Sequence, residues 1–219
     1  MTTPKFKFHL IGHDVEFIVR DKTTGSPVSM ADMLQTTLAT CVVYPDNVLM
    51  ESGTDPVPLD NFVERIISNR NDIMQYLDEN GLYTVIGEPE AEFPKDQLCS
   101  VRAHQIGCNP FSSAYMLGVP LVPMPYSDQW RFSGGHIHLA YDKNLVPEHF
   151  LVRELDKVMK DQSTPCHRRD AFYGQRGAYR SKPYGLEYRS LDNFWFNDPQ
   201  WVVDRLRQVE ATINAILQD

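Results

Sequence analysis

The stretch Ser133-Gly134-Gly135-His136-Ile137-His138-Leu139-Ala140 joins two glycines to a short strand in which imidazoles alternate with apolar side chains. With a period of two, His136 and His138 share one face and Ile137 and Leu139 the other. Two imidazoles in front of a buried back suit the edge of a metal or phosphate site. A half-exposed strand with incidental histidines is the plain alternative. The same construction recurs twice. Asp14-Val15-Glu16 near the N-terminus and Glu187-Tyr188-Arg189 near the C-terminal end are again polar–apolar–polar triplets. One sheet holding all three would gather carboxylates, imidazoles and a guanidinium on one face, suited to a divalent metal and phosphate.

The elements that must position these residues are readable in outline. Lys5 to Arg20 reads as a long strand ending in the turn Asp21–Pro27. Cys41 to Glu51 reads as a hairpin turning at Pro45-Asp46-Asn47, with Glu51 closing its second strand. Asp60 is placed as the N-cap of a helix to about Glu79, with Phe62, Ile66, Ile67, Ile73 and Leu77 on its apolar face and Gly81 as its stop. Leu82 to Phe93 reads as a strand. Its alternating Glu88, Glu90 and Glu92 form a solvated edge more readily than a metal site, given Pro89 among them. Pro120 to Tyr126 is proline-rich and extended. Pro147 to Lys160 has helical spacing of Phe150, Leu151, Leu155 and Val158. Asp198 caps a closing helix that begins at Pro199 and buries Val202, Leu206, Val209, Ile213 and Leu217.

Cys166 to Lys182 differs in kind. Arg168, Arg169, Arg176, Arg180 and Lys182 fall among Tyr173, Gly174, Gly177 and Tyr179, with Asp170 to balance them. In an acidic protein such a segment reads as an anion-binding loop; a solvated basic loop is the alternative.

At 219 residues the chain is expected to be one α+β domain over residues 1–219. A net charge of -8 excludes a general nucleic-acid binder, whose electrostatic footprint is basic. No apolar run approaches the ~20 residues of a membrane span, and Met-Thr-Thr-Pro-Lys-Phe-Lys-Phe lacks the apolar core of a signal peptide. Cys41, Cys99, Cys108 and Cys166 have no CxxC or zinc spacing, so reduced thiols and a cytoplasmic location are expected. There is no GxxxxGK[ST] loop, no strand–GxGxxG–helix unit, no HExxH helix and no GxSxG elbow. A nucleotide would therefore be held by metal and arginine rather than by a glycine-rich helix start.

Several blocks together resemble a known family. They are Gly12-His13-Asp14-Val15-Glu16-Phe17, the Asp46…Glu51 hairpin, Gly107-Cys108-Asn109-Pro110 and Gly134-Gly135-His136-Ile137-His138. The last and longest runs from Arg168-Arg169 through Tyr173-Gly174, Gly177, Tyr179-Arg180 and Lys182-Pro183-Tyr184-Gly185 to Glu187-Tyr188-Arg189. They are similar to the phage-encoded carboxylate–amine ligases (amidoligases) of the glutamine synthetase/glutamate–cysteine ligase superfamily.

The resemblance implies a glutamine-synthetase-like catalytic fold, a curved, mainly antiparallel sheet with helices on its outer face. It also implies ATP with two magnesium ions (or manganese in their place). Carried over by motif, Asp14, His136 and Glu187 would hold one metal, and Glu16 and Glu51 would help hold the other. The implied catalytic set is Glu16, His138, Arg169, Arg180, Glu187 and Arg189. Arg131, Arg169, Arg176, Arg180, Lys182 and Arg189 would contact the nucleotide. Two departures stand out. Asp14 replaces a glutamate of glutamine synthetase, and Glu51 alone stands where that enzyme uses two further carboxylates.

The implied reaction is phosphorylation of a substrate carboxylate to an acyl phosphate, followed by amine attack. The implied partners are small-molecule or peptide carboxylates and amines, with no nucleic acid and no membrane; a homo-oligomer is left open. A metal-dependent hydrolase or phosphotransferase, or an inactive nucleotide-binding protein, would use the same face.

Overall fold

The structure, a computed structural model, describes residues 5–104, 111–116, 120–121, 129–163 and 165–218. Its strands are β1 (Leu10–Phe17), β2 (Val19–Asp21), β3 (Thr36–Thr37), β4 (Val42–Asp46), β5 (Leu49–Gly53), β6 (Leu82–Thr84), β7 (Glu90–Glu92), β8 (Phe111–Ser113), β9 (Pro120–Leu121), β10 (Trp130–Phe132), β11 (Gly135–Ala140), β12 (Ala178–Lys182) and β13 (Gly185–Tyr188). The helices are α1 (Phe62–Glu79), α2 (Val101–His104), α3 (Glu148–Val158), α4 (His167–Phe172) and α5 (Pro199–Ile216). The Gly107–Pro110 block and most of the proline-rich stretch lie outside the described residues.

Nine strands form one sheet in the order β3-β4-β5-β1-β11-β13-β12-β8-β9, each neighbouring pair antiparallel. The three polar triplets therefore lie on, or at the end of, the adjacent central strands β1, β11 and β13, as the period of two requires for a shared face. Behind them, Val15, Phe17, Ile137, Leu139, Leu186 and Tyr188 are fully buried in one core with Ile66 and Ile73 of α1, Leu151 and Leu155 of α3, and Val202 and Leu206 of α5. Truncating Ile137 or Leu139 to alanine would cost roughly 2–5 kcal/mol. This is the α+β arrangement expected, with helices on one side and chemistry on the other.

Local outcomes differ in instructive ways. The expected strand from Lys5 is extended but joins the sheet only at Leu10. The backbone N–H groups of Phe6 and Phe8 donate instead to Asn214 Oδ1 (2.8 Å) and Glu210 Oε1 (2.7 Å) of α5. The chain breaks again at Ile18, so that β2 pairs with β6 in a small separate sheet. The hairpin turns one residue later than its Pro-Asp-Asn sequence suggests. Asn47 takes the left-handed conformation (φ 56°) that asparagine tolerates, and Asp46 stays in β4 opposite Leu49. Pro45 is accommodated because β3 ends before it and asks no N–H of it.

Asp60 sits in a 3-10 turn and pairs with Arg207 rather than capping α1, and Ile67 is 40% exposed. The expected strand Leu82–Phe93 is two short strands, β6 and β7. Glu88 pairs with Arg20 and Glu90 with Arg168, so this trio gathers no metal site. The basic segment from Cys166 is not one loop: it is α4, a turn, and β12. Asp198 caps α5 as expected, accepting from the Trp201 N–H (3.3 Å) with Pro199 in first position. Cys41, Cys99 and Cys166 are free thiols. Among the described residues no helix is long and apolar enough to cross a membrane.

Candidate functional site

Cross-strand register sets one polar row across six strands. Glu16 stands opposite Glu51, Asp14 opposite His136, His138 opposite Glu187, and Glu187 opposite Arg180. Tyr44 stands opposite Glu51, and Asp46 follows two residues along the same face of β4. The row divides into two groups of metal-ligating atoms, each with its atoms within 4.8 Å of one another.

The first group is Asp14, His138 and Glu187. His138 Nε2 lies 2.7 Å from Asp14 Oδ2, and its Nδ1 is hydrogen-bonded to the Tyr184 hydroxyl. Glu187 is 1% exposed and ringed by cations: Lys182 Nζ at 2.8 Å, Arg180 Nη1 at 3.4 Å, and Arg189 in direct contact. Burial alone would raise its carboxyl; the Arg189, Lys182 and Arg180 charges outweigh that and hold it below the usual glutamate range. For Asp14 the hydrogen bond and charge of His138 likewise outweigh burial, and its carboxyl is lowered.

The second group is Glu16, Asp46 and Glu51. Glu51 is pushed up to about 9 by burial and by the Glu16, Asp14 and Asp46 charges, although the Tyr44 hydroxyl donates to its Oε1 (2.9 Å). Glu16 is pushed up to about 8, chiefly by burial and Asp46. Burial also raises Asp46, to about 6. Glu16 is buried and Asp46 and Glu51 are half-buried, and carboxyls crowded in this way favour their protonated forms. Glu16 is fixed from below, where Gly134 N–H donates to Oε2 (2.6 Å) and Tyr173 O–H to Oε1 (2.8 Å). Residue 134 must be glycine for this approach, because a Cβ there would lie 2.5 Å from His136 Nε2 and 2.8 Å from Tyr173 Oη.

Both donor sets fit a hard divalent cation such as magnesium or manganese: carboxylates throughout, with one imidazole in the first group. Asp46, read from sequence as a turn residue, supplies the carboxylate that Glu51 lacked. Its signal was the alternation Tyr44-Pro45-Asp46, which puts Asp46 on the Glu51 face once the turn moves by one residue.

Four of the expected site residues have surroundings other than those read from the sequence. Among the described residues the imidazole grouped with Asp14 and Glu187 is that of His138, while His136 lies between the groups, 3.7 Å from Glu187 Oε1 through Nδ1 and 3.9 Å from Glu16 Oε1 through Nε2. His136 is buried at 2%, and its ring nitrogens face Tyr173 (Nε2, 2.6 Å) and Arg189 (Nδ1, 3.3 Å). Arg169 is turned to backbone carbonyls. It is fully buried, donating to the backbone oxygens of Ser133 (2.7 Å), Ser190 (3.4 Å) and Leu191 (2.5 Å). Gly174, at φ 71°, leaves room for its guanidinium. Arg176 lies on the helix side of the sheet, paired with Asp161 (2.7 Å) and stacked on Tyr115. Arg131 is buried on β10 and donates to the Trp130 and Ala103 carbonyls, tying β10 to α2. Arg180, Lys182 and Arg189 remain as the cations of the site face.

The first group borders a pocket of about 370 Å³ walled by Leu10, Gly12, Pro56 and Tyr184. A larger cleft of about 840 Å³ lies between α1 and the β3–β4 edge. It approaches the site at Tyr44 and Gly53, whereas the smaller pocket is lined by Asp14 and His138 themselves.

A search of curated proteins finds no match to the chain. A family model described as "Phage phiEco32-like COOH.NH2 ligase-type 2" matches residues 123–213. That span carries His136, His138, Tyr173, Arg180, Lys182, Glu187 and Arg189. Asp14, Glu16, Asp46 and Glu51 come from outside it and are brought in by sheet pairing. Over residues 123–213, less than half of its length, the chain is similar to the phage phiEco32-like family of COOH.NH2 ligases, type 2.

Proposed function

We propose that the polar face is the active site of an ATP-dependent carboxylate–amine ligase that forms an amide through an acyl phosphate. This proposal includes a glutamine-synthetase-like reading of the sheet, a cytoplasmic location, and amino acids or peptides as substrates. The observation that carries it is the convergence of two acidic groups and three cations on one face of a sheet whose central strands include the ligase-family segment.

Asp14, His138 and Glu187 would hold one magnesium ion and Glu16, Asp46 and Glu51 the other. Bound there, such ions supply charge neutralisation and polarisation of phosphoryl and carboxyl oxygens. The chain's own residues do the rest. Arg180 and Lys182 sit beside Glu187 at the open side of the face, with side chains 30% and 25% exposed. They are placed to bind phosphoryl oxygens, Arg180 through paired donors and Lys182 as a point charge. Arg189, 4% exposed, orients Glu187 from beneath. Tyr184 and Tyr44 flank the two groups and limit the entry of water, which would otherwise hydrolyse an acyl phosphate. Binding both substrates on one rigid sheet converts amine attack into a reaction of neighbours.

The test is phosphate release from ATP and magnesium with pools of carboxylates and amines. Release that depends on both pools supports the ligase. Amine-independent release would mark a hydrolase or phosphotransferase, and binding without turnover an inactive protein.

A further inference from the structure

The two acidic groups are not independent neighbours. Tyr173 has a single hydroxyl proton, and its oxygen meets Glu16 Oε1 (2.8 Å), His136 Nε2 (2.6 Å) and Arg189 Nη2 (3.3 Å). Arg189 can only donate. It also approaches His136 Nδ1 through Nη1 at 3.3 Å, so Nδ1 must accept. An imidazole whose Nδ1 accepts is not the doubly protonated cation. A neutral imidazole with an accepting Nδ1 carries its proton on Nε2. Nε2–H then donates to the Tyr173 oxygen, which accepts from Arg189 as well. The Tyr173 proton is left for Glu16 alone. One donor direction satisfies all of these contacts.

We propose that Tyr173 is a positioning residue that ties the two groups into one unit through the one-way chain Arg189→His136→Tyr173→Glu16. The inference rests on reading both groups as cation sites. Arg189 also grips Glu187 of the first group, so the chain runs from one ligand set to the other. At its far end Tyr173 and Gly134 hold both Glu16 oxygens and turn the remaining lone pairs toward Asp46 and Glu51. Tyr173 is itself buried, at 7% exposure. Outer partners of this kind orient the groups that bind and commonly change affinity about 10–100-fold when removed.

Tyr173→Phe keeps the ring that packs edge-on against His136 and beneath Arg169 and removes only the hydroxyl. Manganese titration followed by electron paramagnetic resonance should count two ions per wild-type chain. In Tyr173→Phe one ion should keep its affinity and the other weaken by about 10–100-fold. His136→Gln, which retains an N–H toward Tyr173, should lose less than His136→Ala. Nitrogen-15 spectra of the wild-type imidazoles should show His136 protonated on Nε2 and bare on Nδ1. Equal affinities for both ions in wild type and Tyr173→Phe would overturn the coupling, as would a His136 protonated on Nδ1. If wild type binds no manganese, the cation reading fails instead, and the tautomer still decides the chain. A Tyr173→Phe that does not fold leaves the same spectrum as judge.

Discussion

Glu16 and Glu51 face each other directly across β1 and β5, a like-charge cross-strand pair that would destabilise a sheet unless something neutralises it. In the structure burial raises both carboxyls, with the Asp46 charge adding to it at Glu16 and the Glu16, Asp14 and Asp46 charges at Glu51, which reaches about 9 from an ordinary 4.5. Between those values the folded protein keeps a proton that the unfolded chain has released. The metal-free protein is therefore stabilised below about pH 4.5 relative to higher pH, and loses that stability as pH rises toward 9. Each tenfold change in proton affinity is worth about 1.4 kcal/mol. With partial cancellation among the three carboxyls the change is a few kcal/mol, or roughly 5–10 °C in Tm. Calorimetry should show this fall in wild type, a flatter profile in Glu51→Gln, and rescue by magnesium that grows with pH. A flat wild-type profile would remove the electrostatic case for a cation there.

The histidines should separate. His138→Ala removes a ligand of the first group and should weaken its metal by about 10-fold or more with little loss of fold, since His138 is only half-buried. His136→Ala should leave that metal nearly intact and disturb Glu16 and Arg189 instead. Calorimetric metal titration of both variants decides; the reverse order would restore the assignment expected from sequence.

Two arginines from one basic segment should behave oppositely. Arg180→Ala should cost about 2–4 kcal/mol of transition-state stabilisation, as loss of one preorganised donor does, and leave Tm almost unchanged. Arg169→Ala withdraws its donors from the buried carbonyls of Ser133 and Ser190 and one of two donors from Leu191, which keeps the Gly135 N–H, and should lower Tm sharply, because each unsatisfied buried group costs ~1–3 kcal/mol. Equal Tm values would contradict the burial of Arg169.

Glu187 combines both roles. Sequence alone makes it a ligand with no packing duty, yet it neutralises the buried Arg189. Glu187→Ala should abolish turnover even at saturating magnesium and also destabilise by about 3–5 kcal/mol, the usual penalty for a buried charge left unpaired. Activity near wild type would refute the first group; an unchanged Tm would refute the ion pair.

These contrasts mark what sequence could and could not say. Strand alternation is local, so the shared face of Asp14, Glu16, His136, His138, Glu187 and Arg189 was legible from period alone. Which histidine reaches the first group was not. That depends on register between β1, β11 and β13 and on Tyr173 closing over His136 from another part of the chain. Asp46 was hidden by a Pro-Asp-Asn sequence whose turn lies one residue later. Arg169 has the composition of an anion ligand, but its acceptors are backbone carbonyls over twenty residues away on either side, which no local pattern reveals. The C-terminal helix, by contrast, carried its own cap and stripe and formed where its sequence placed it.

The central claim concerns where a carboxylate oxygen goes. The protein would be incubated with ATP, magnesium, amines and a pool of amino acids and peptides labelled with oxygen-18 in their carboxylates. An acyl-phosphate ligase transfers one labelled oxygen to inorganic phosphate for each amide formed, and yields a product lighter by one water than its summed substrates. Labelled phosphate appearing together with such a product is the predicted result. Phosphate released without label, or without any condensed product, would contradict it.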